Sequence, residues 1–253
     1  MNSIEFVGPS GIGKTTFLQA LVKERGNARW ITRDEGLRLV SIERFNIIEK
    51  VIVKTARLFG LSLTLKKNEE YLEKIKHNDA SCSLLVDLFI ENLHNSGANA
   101  WQKVHRFDYY LKTILNQYIL LHESLRNKTI VFDEGIIHSG GFKIILENYE
   151  KYKDIPESEI FPKAAIFFDL NIDQYRERLY ARFNERGDRT INSLKVNVTD
   201  EELERYMSGS KKGAYKKLVA CKMLKIPILE IEPLPTKENI SSALSLINEI
   251  NEK

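Results

Sequence analysis

Gly8-Pro9-Ser10-Gly11-Ile12-Gly13-Lys14-Thr15 stands between the apolar run Ser3-Ile4-Glu5-Phe6-Val7 and a helical stripe of Phe17, Leu18, Leu21 and Val22. The octet fits GxxxxGK[ST], and strand before with helix after is the context that pattern needs. Its glycines let backbone N–H groups turn inward around a phosphate, and the helix N-terminus adds the positive end of its dipole. Lys14 can neutralise charge on the β- and γ-phosphates, and the Thr15 hydroxyl can ligate Mg²⁺. Gly8, Ser10, Gly11, Ile12, Gly13, Lys14, Thr15 and Thr16 are therefore the expected nucleotide-binding set, with ATP and Mg²⁺ as expected cofactors.

Outward from the loop, short apolar strands alternate with helices. A second strand, Arg29-Trp30-Ile31-Thr32, runs into Arg33-Asp34-Glu35-Gly36; Lys128 to Phe132 and Ala164 to Phe168 follow as strands, and Ile226 to Ile231 is the fifth. Continuous apolar strands separated by helices predict a parallel sheet covered on both faces. Residues 37–127 show only helical patterning and read as a helical lobe, a substrate lobe inserted within one domain spanning 1–253. The clearest helix there carries Val104, Phe107, Leu111, Ile114, Leu115, Tyr118 and Leu121 at steps of three and four. Trp101, Phe107, Tyr109, Tyr110 and Tyr118 offer either a base-stacking wall or ordinary core. Lys211-Lys212 with Lys216-Lys217 reads as a solvated helix face.

Three further constellations bear on chemistry. Asp133 and Glu134 close the strand Ile130-Val131-Phe132. An acidic residue at such a tip can hold a metal-bound water beside the phosphate loop, so Asp133 joins Thr15 as the metal pair. The same position also suits a helix or turn cap. Arg178, Arg182 and Arg186 share a helix face at i, i+4, i+8, and Arg189 follows. Such a ridge can close over a triphosphate and stabilise the transferring phosphoryl, or it is a solvated face with scattered ion pairs. His138, Ser139, Gly140 and Gly141 either line the site or form a polar loop.

The phosphate loop with Thr15-Thr16, the segment Thr32-Arg33-Asp34-Glu35-Gly36, and Arg182-Phe183-Asn184-Glu185-Arg186-Gly187-Asp188-Arg189 together resemble the thymidylate kinase group of P-loop nucleoside and nucleotide kinases. The loop match is highly specific, the arginine stretch moderately so and the Thr32–Gly36 match weaker. The resemblance implies a P-loop NTPase three-layer α/β sandwich, a five-stranded parallel sheet in the order 2-3-1-4-5, an enlarged helical lobe and an Arg-rich lid over residues 178–200. It places Arg106 toward the substrate by a loose match, and members of the group are often homodimers. Where the group has Asp-Arg at the third strand, this chain has Asp133-Glu134, and Glu35 replaces a proline. A phosphorylated acceptor would meet one cation fewer and two added carboxylates, so a neutral hydroxyl acceptor, a nucleoside or similar compound, suits the site better. Asp34 or Glu35 is then the expected base, or only a cap of the following helix; Arg33 pairs with the acceptor or steadies the carboxylate, and Glu134 is a substrate-binding residue.

The same Asp133-Glu134 pair also fits an ATPase that activates water to drive a conformational cycle. No LSGGQ-like segment precedes it and no NKxD-like string occurs, which favours a kinase. A nucleotide-binding switch without turnover is the third reading, and the lid arginines speak against it. Lys plus Arg is 38 against 35 for Asp plus Glu, and the basic residues are dispersed, so nucleic acid is not an expected partner. The two cysteines lie far apart and no run of about 18 apolar residues occurs, which predicts a cytoplasmic location away from the membrane.

Overall fold

The computed structural model describes residues 2–26, 29–43, 73, 80–122, 128–141, 146–148, 150, 161–187 and 198–252. The strands are β1 (Ser3–Val7), β2 (Trp30–Thr32), β3 (Thr129–Phe132), β4 (Ala164–Phe168) and β5 (Ile228–Ile231). The helices are α1 (Lys14–Glu24), α2 (Arg33–Glu43), α3 (Ala80–Asn95), α4 (Ala100–His122), α5 (Ile172–Arg186), α6 (Asp200–Met223) and α7 (Lys237–Glu252), with a π-helical turn at Ile137–Gly141. All four strand pairings are parallel and the order is β2-β3-β1-β4-β5, as expected from the sequence.

The strands are apolar on both faces because helices cover both. On one face Ile4, Phe6, Val131, Ala164, Ile166 and Phe168 pack against α1, α5 and α7. On the other, Val7, Ile31, Ile130, Phe132, Ala165 and Phe167 pack against α2, α3, α4 and α6. In the central strand Ser3 and Glu5 depart from this pattern, and Glu5, the charged one, is fully buried. β1 lies between β3 and β4, so the chain leaves its C-terminal tip where the strand order reverses, the place at which open α/β sheets bind ligands.

The stripes on α5 and α7 match expectation: Tyr175, Leu179 and Phe183 are buried, as are Ile240, Ile247 and Ile250. On α4 the apolar stripe from Tyr110 to Leu120 is core, while Val104 and Trp101 are exposed, the latter at 84%. The expected helical lobe is helical over its described parts, and the rest of 37–127 lies outside the described residues. No helix among the described residues is long and apolar enough to cross a membrane.

Directly beneath the phosphate loop, Phe6 of β1, Phe17 of α1 and Phe168 of β4 meet edge to face, with centroids 5.0 to 6.1 Å apart. Phe17 is wholly buried, so Phe17→Ala is expected to cost about 3–5 kcal/mol of unfolding free energy, read as a lower denaturant midpoint.

Candidate active site

The loop from Gly8 to Thr15 folds tightly enough that side chains are excluded. Gly13 sits at φ 107°, a conformation that suits glycine, and a Cβ there would fall 2.2 Å from Arg178 Nη1. Arg178, from α5, donates to the Ile12 carbonyl at 2.5 Å and to the Pro233 carbonyl at 3.3 Å. The loop is braced from two helices at Ser10, whose N–H donates to Ser210 Oγ of α6 and whose carbonyl accepts from Tyr175 of α5. Lys14 is buried and donates to the Gly8 and Pro9 carbonyls. Burial pulls its ammonium below the ordinary lysine value, against the attraction of Glu134, Asp133 and Glu5. A desolvated cation at the N-terminus of a helix is chemically suited to an anion such as phosphate.

Opposite the loop, Thr15 Oγ1 donates to Asp133 Oδ2 at 3.5 Å, so the tips of α1 and β3 bring two hard oxygen donors together. Among the described residues no group of three His, Cys, Asp or Glu side chains forms a metal cage. A pair of oxygens on an open face fits Mg²⁺, which takes few protein ligands and fills the remaining positions with phosphate and water. Thr16 is exposed on the first turn of α1.

A cavity of about 180 Å³ opens between α2, α4 and β3, lined by Arg33, Tyr109, Lys112, Thr113, Asn116, Gln117 and Glu134, with Leu37 and Phe132 as its apolar surface. Glu134 lines this cavity and also acts electrostatically on Lys14, so it belongs to both halves of the site. Tyr109 lies beside Ser139 and Glu134, and burial raises its phenol above the ordinary value, while Arg33 Nη1 donates to the Glu134 carbonyl at 3.5 Å.

The carboxylates expected to act as bases are engaged elsewhere. Glu35 forms a capping box with Thr32, accepting its N–H at 2.9 Å while Thr32 Oγ1 accepts the Glu35 N–H at 3.2 Å. It also takes both guanidinium nitrogens of Arg25, at 2.6 and 3.0 Å, and this pairing holds its carboxyl below the ordinary range. Asp34 is 68% exposed and pairs with Arg33 Nε. Neither lines the cavity.

The arginine ridge divides. Arg178 and Arg182 lie against the loop, the latter with Nη1 3.3 Å from where a Gly11 Cβ would stand. Arg186 is exposed at the end of α5, and Arg189 lies outside the described residues, as does most of the expected 178–200 lid. Arg176 ties Asp173 to Glu204 of α6. Arg106 is exposed on α4 and absent from the cavity lining; of the aromatic set, Tyr109 lines it while Tyr110 and Tyr118 are core.

Lysines read as one solvated face divide as well. Lys212 and Lys216 are exposed, but Lys211 binds Asp169 and the Leu170 carbonyl at the tip of β4. Lys217 is partly buried with its Nζ 3.2 Å from His138 Nδ1. The polar row Tyr109, Lys112, Thr113, Asn116 and Gln117 was readable as a second stripe on α4 at helical spacing.

No protein-family model matches the chain, and no curated protein matches it. Among solved structures it is similar to deoxyadenosine kinase from M. mycoides with bound dATP, at 14% identity and a TM-score of 0.40, over 98% of this chain and 100% of that one. At that distance the likeness says nothing of chemistry, which rests on the residues.

Glu5 accepts the Ile137 and His138 N–H groups, and burial pushes its carboxyl up to about 7. In the unfolded chain the same group titrates near 4.5, so between these values the folded state holds the extra proton. Its contribution to stability is therefore full below pH 4.5 and is lost as the pH rises to about 7, on the order of 3 kcal/mol in all. Glu5→Gln should flatten that part of the stability curve, as measured by urea unfolding at several pH values.

Proposed function

We propose that the protein is a Mg²⁺-dependent phosphotransferase that moves the γ-phosphoryl group of ATP to a hydroxyl of a small, uncharged acceptor, a nucleoside or a nucleoside-like polyol. The observation that carries this reading is Glu134, a carboxylate that lines an acceptor-sized cavity and faces the lysine of a phosphate loop. A water-activating ATPase needs no such cavity. The cavity's volume of about 180 Å³ is small for a ligand site, which supports a compact acceptor.

In this reading the loop amides and Lys14 hold the triphosphate, and Arg182, with Arg186 and Arg189 beyond it, meets charge on the transferring group. Thr15 and Asp133 would hold Mg²⁺, which when bound neutralises charge on the β- and γ-oxygens. Arg33, Tyr109 and Gln117 seat the acceptor. Glu134 orients the attacking hydroxyl and takes its proton, the role that the placement of Asp34 and Glu35 leaves to it. Arg178 fastens the loop to the segment after β5. The reading keeps the chain in the cytoplasm, with a homodimer as the expected assembly.

The test is ATP consumption with Mg²⁺ against nucleosides, nucleoside monophosphates, sugars and amino-alcohol antibiotics, with product masses read in parallel. A gain of one phosphoryl group on a neutral acceptor is the expected result; ATP loss with every acceptor unmodified would replace transfer by hydrolysis. Lys14→Ala should lower turnover by about 10²–10³-fold. Glu134→Gln should cut kcat far more than Asp34→Asn, and the reverse order would return the base to Asp34.

A further inference from the structure

Beside the acceptor cavity lies a chain of polar side chains that packing alone does not require. The π-helical turn begins four residues after Asp133, and its first two amides, Ile137 and His138, donate to the buried Glu5 carboxylate at 3.1 and 2.5 Å. The backbone reaches Glu5 so closely that a Cβ on Gly135 would fall 2.5 Å from Oε2. Insertions of this helical type concentrate at functional sites. The turn fixes the His138 ring between two elements: Nδ1 lies 3.2 Å from Lys217 Nζ of α6, and Nε2 lies 3.4 Å from Glu134 Oε1.

The chemistry of these groups gives the chain a direction. An ammonium has three N–H donors and no acceptor, so the imidazole nitrogen facing Lys217 must accept. The ring proton then sits on Nε2, where it faces Glu134. Burial, with Lys14 and Lys217 nearby, holds His138 well below the ordinary histidine value and keeps the ring neutral. We infer that Lys217 and His138 are positioning residues that aim the Glu134 carboxylate at the acceptor hydroxyl, Lys217 by fixing the Nε2–H form of the ring and His138 by donating from it. This rests on the phosphotransfer reading above. The 3.4 Å contact is long for a hydrogen bond, as catalytic contacts often are before substrate closes the site.

The source of the lysine adds a second element. α6 also holds the phosphate loop through Ser210 and the tip of β4 through Lys211. One rigid helix thus indexes Glu134 and the phosphate loop to each other, which is what an in-line transfer between them demands.

Two measurements on the full chain test the inference. Imidazole ¹⁵N NMR of the wild-type protein at pH 7 should show His138 as the neutral Nε2–H tautomer; an Nδ1–H ring or an imidazolium overturns the inference without any reference to turnover. With the acceptor found in the panel, His138→Ala should lower kcat at least about tenfold while KM for ATP changes less than about twofold. His138→Gln, whose amide keeps an acceptor and a donor, should recover most of that loss, and Lys217→Met should reproduce the loss with the histidine in place. Unchanged kcat in His138→Ala, or a glutamine variant no better than alanine, overturns the positioning role. A wild-type protein that modifies no acceptor instead removes the phosphotransfer reading itself and the inference with it.

Discussion

A carboxylate inside a parallel sheet, with helices over both faces, has no water to solvate it and must be satisfied by the protein. Glu5 occupies that position in the central strand and is satisfied by backbone amides of the turn after β3. The constraint runs in both directions. The turn cannot shift without stranding Glu5, and Glu5 cannot be moved without opening the sheet at the strand that carries the phosphate loop. Asp133, Glu134 and His138 therefore take their positions from the same strand whose end forms the loop around Lys14.

The placement of the remaining site residues follows from how tightly each end of that strand is braced. Edge-to-face aromatics support the loop from below, Ser210 and Tyr175 hold Ser10 from above, and Arg178 spans to the segment after β5. With the loop fixed, the neighbouring cavity takes its wall from α4, which sets a polar stripe beside its apolar one.

The sheet was legible in the sequence because its strands are short, apolar and separated by helices, and the loop because its glycines and lysine admit few other uses. The base was not. Thr32-x-x-Glu35 is a capping-box spacing, and once α2 starts at Arg33 its geometry claims Glu35 before any chemistry can. Glu5 went unremarked inside an apolar run, because its partners lie more than a hundred residues away and nothing local identifies them. Lys217 was hidden differently: four lysines close together look alike in a sequence, and only the rotation of α6 against the sheet separates Lys211 and Lys217 from Lys212 and Lys216. Arg106 and Trp101 lie on the exposed first part of α4, away from the residues that line the cavity.

The pairing of Arg25 with Glu35 has a mechanical side. Arg25 follows the last turn of α1, reaches over the Trp30 ring at 5.2 Å, and grips the first turn of α2 with two nitrogens. The helix that begins at the glycine-rich loop and the helix that lines the cavity with Arg33 and Leu37 are thereby clamped into one frame. α5 braces the loop through the side chains of Arg178 and Tyr175, so the clamping of two helix ends and the bracing of the loop are given to different parts of the molecule.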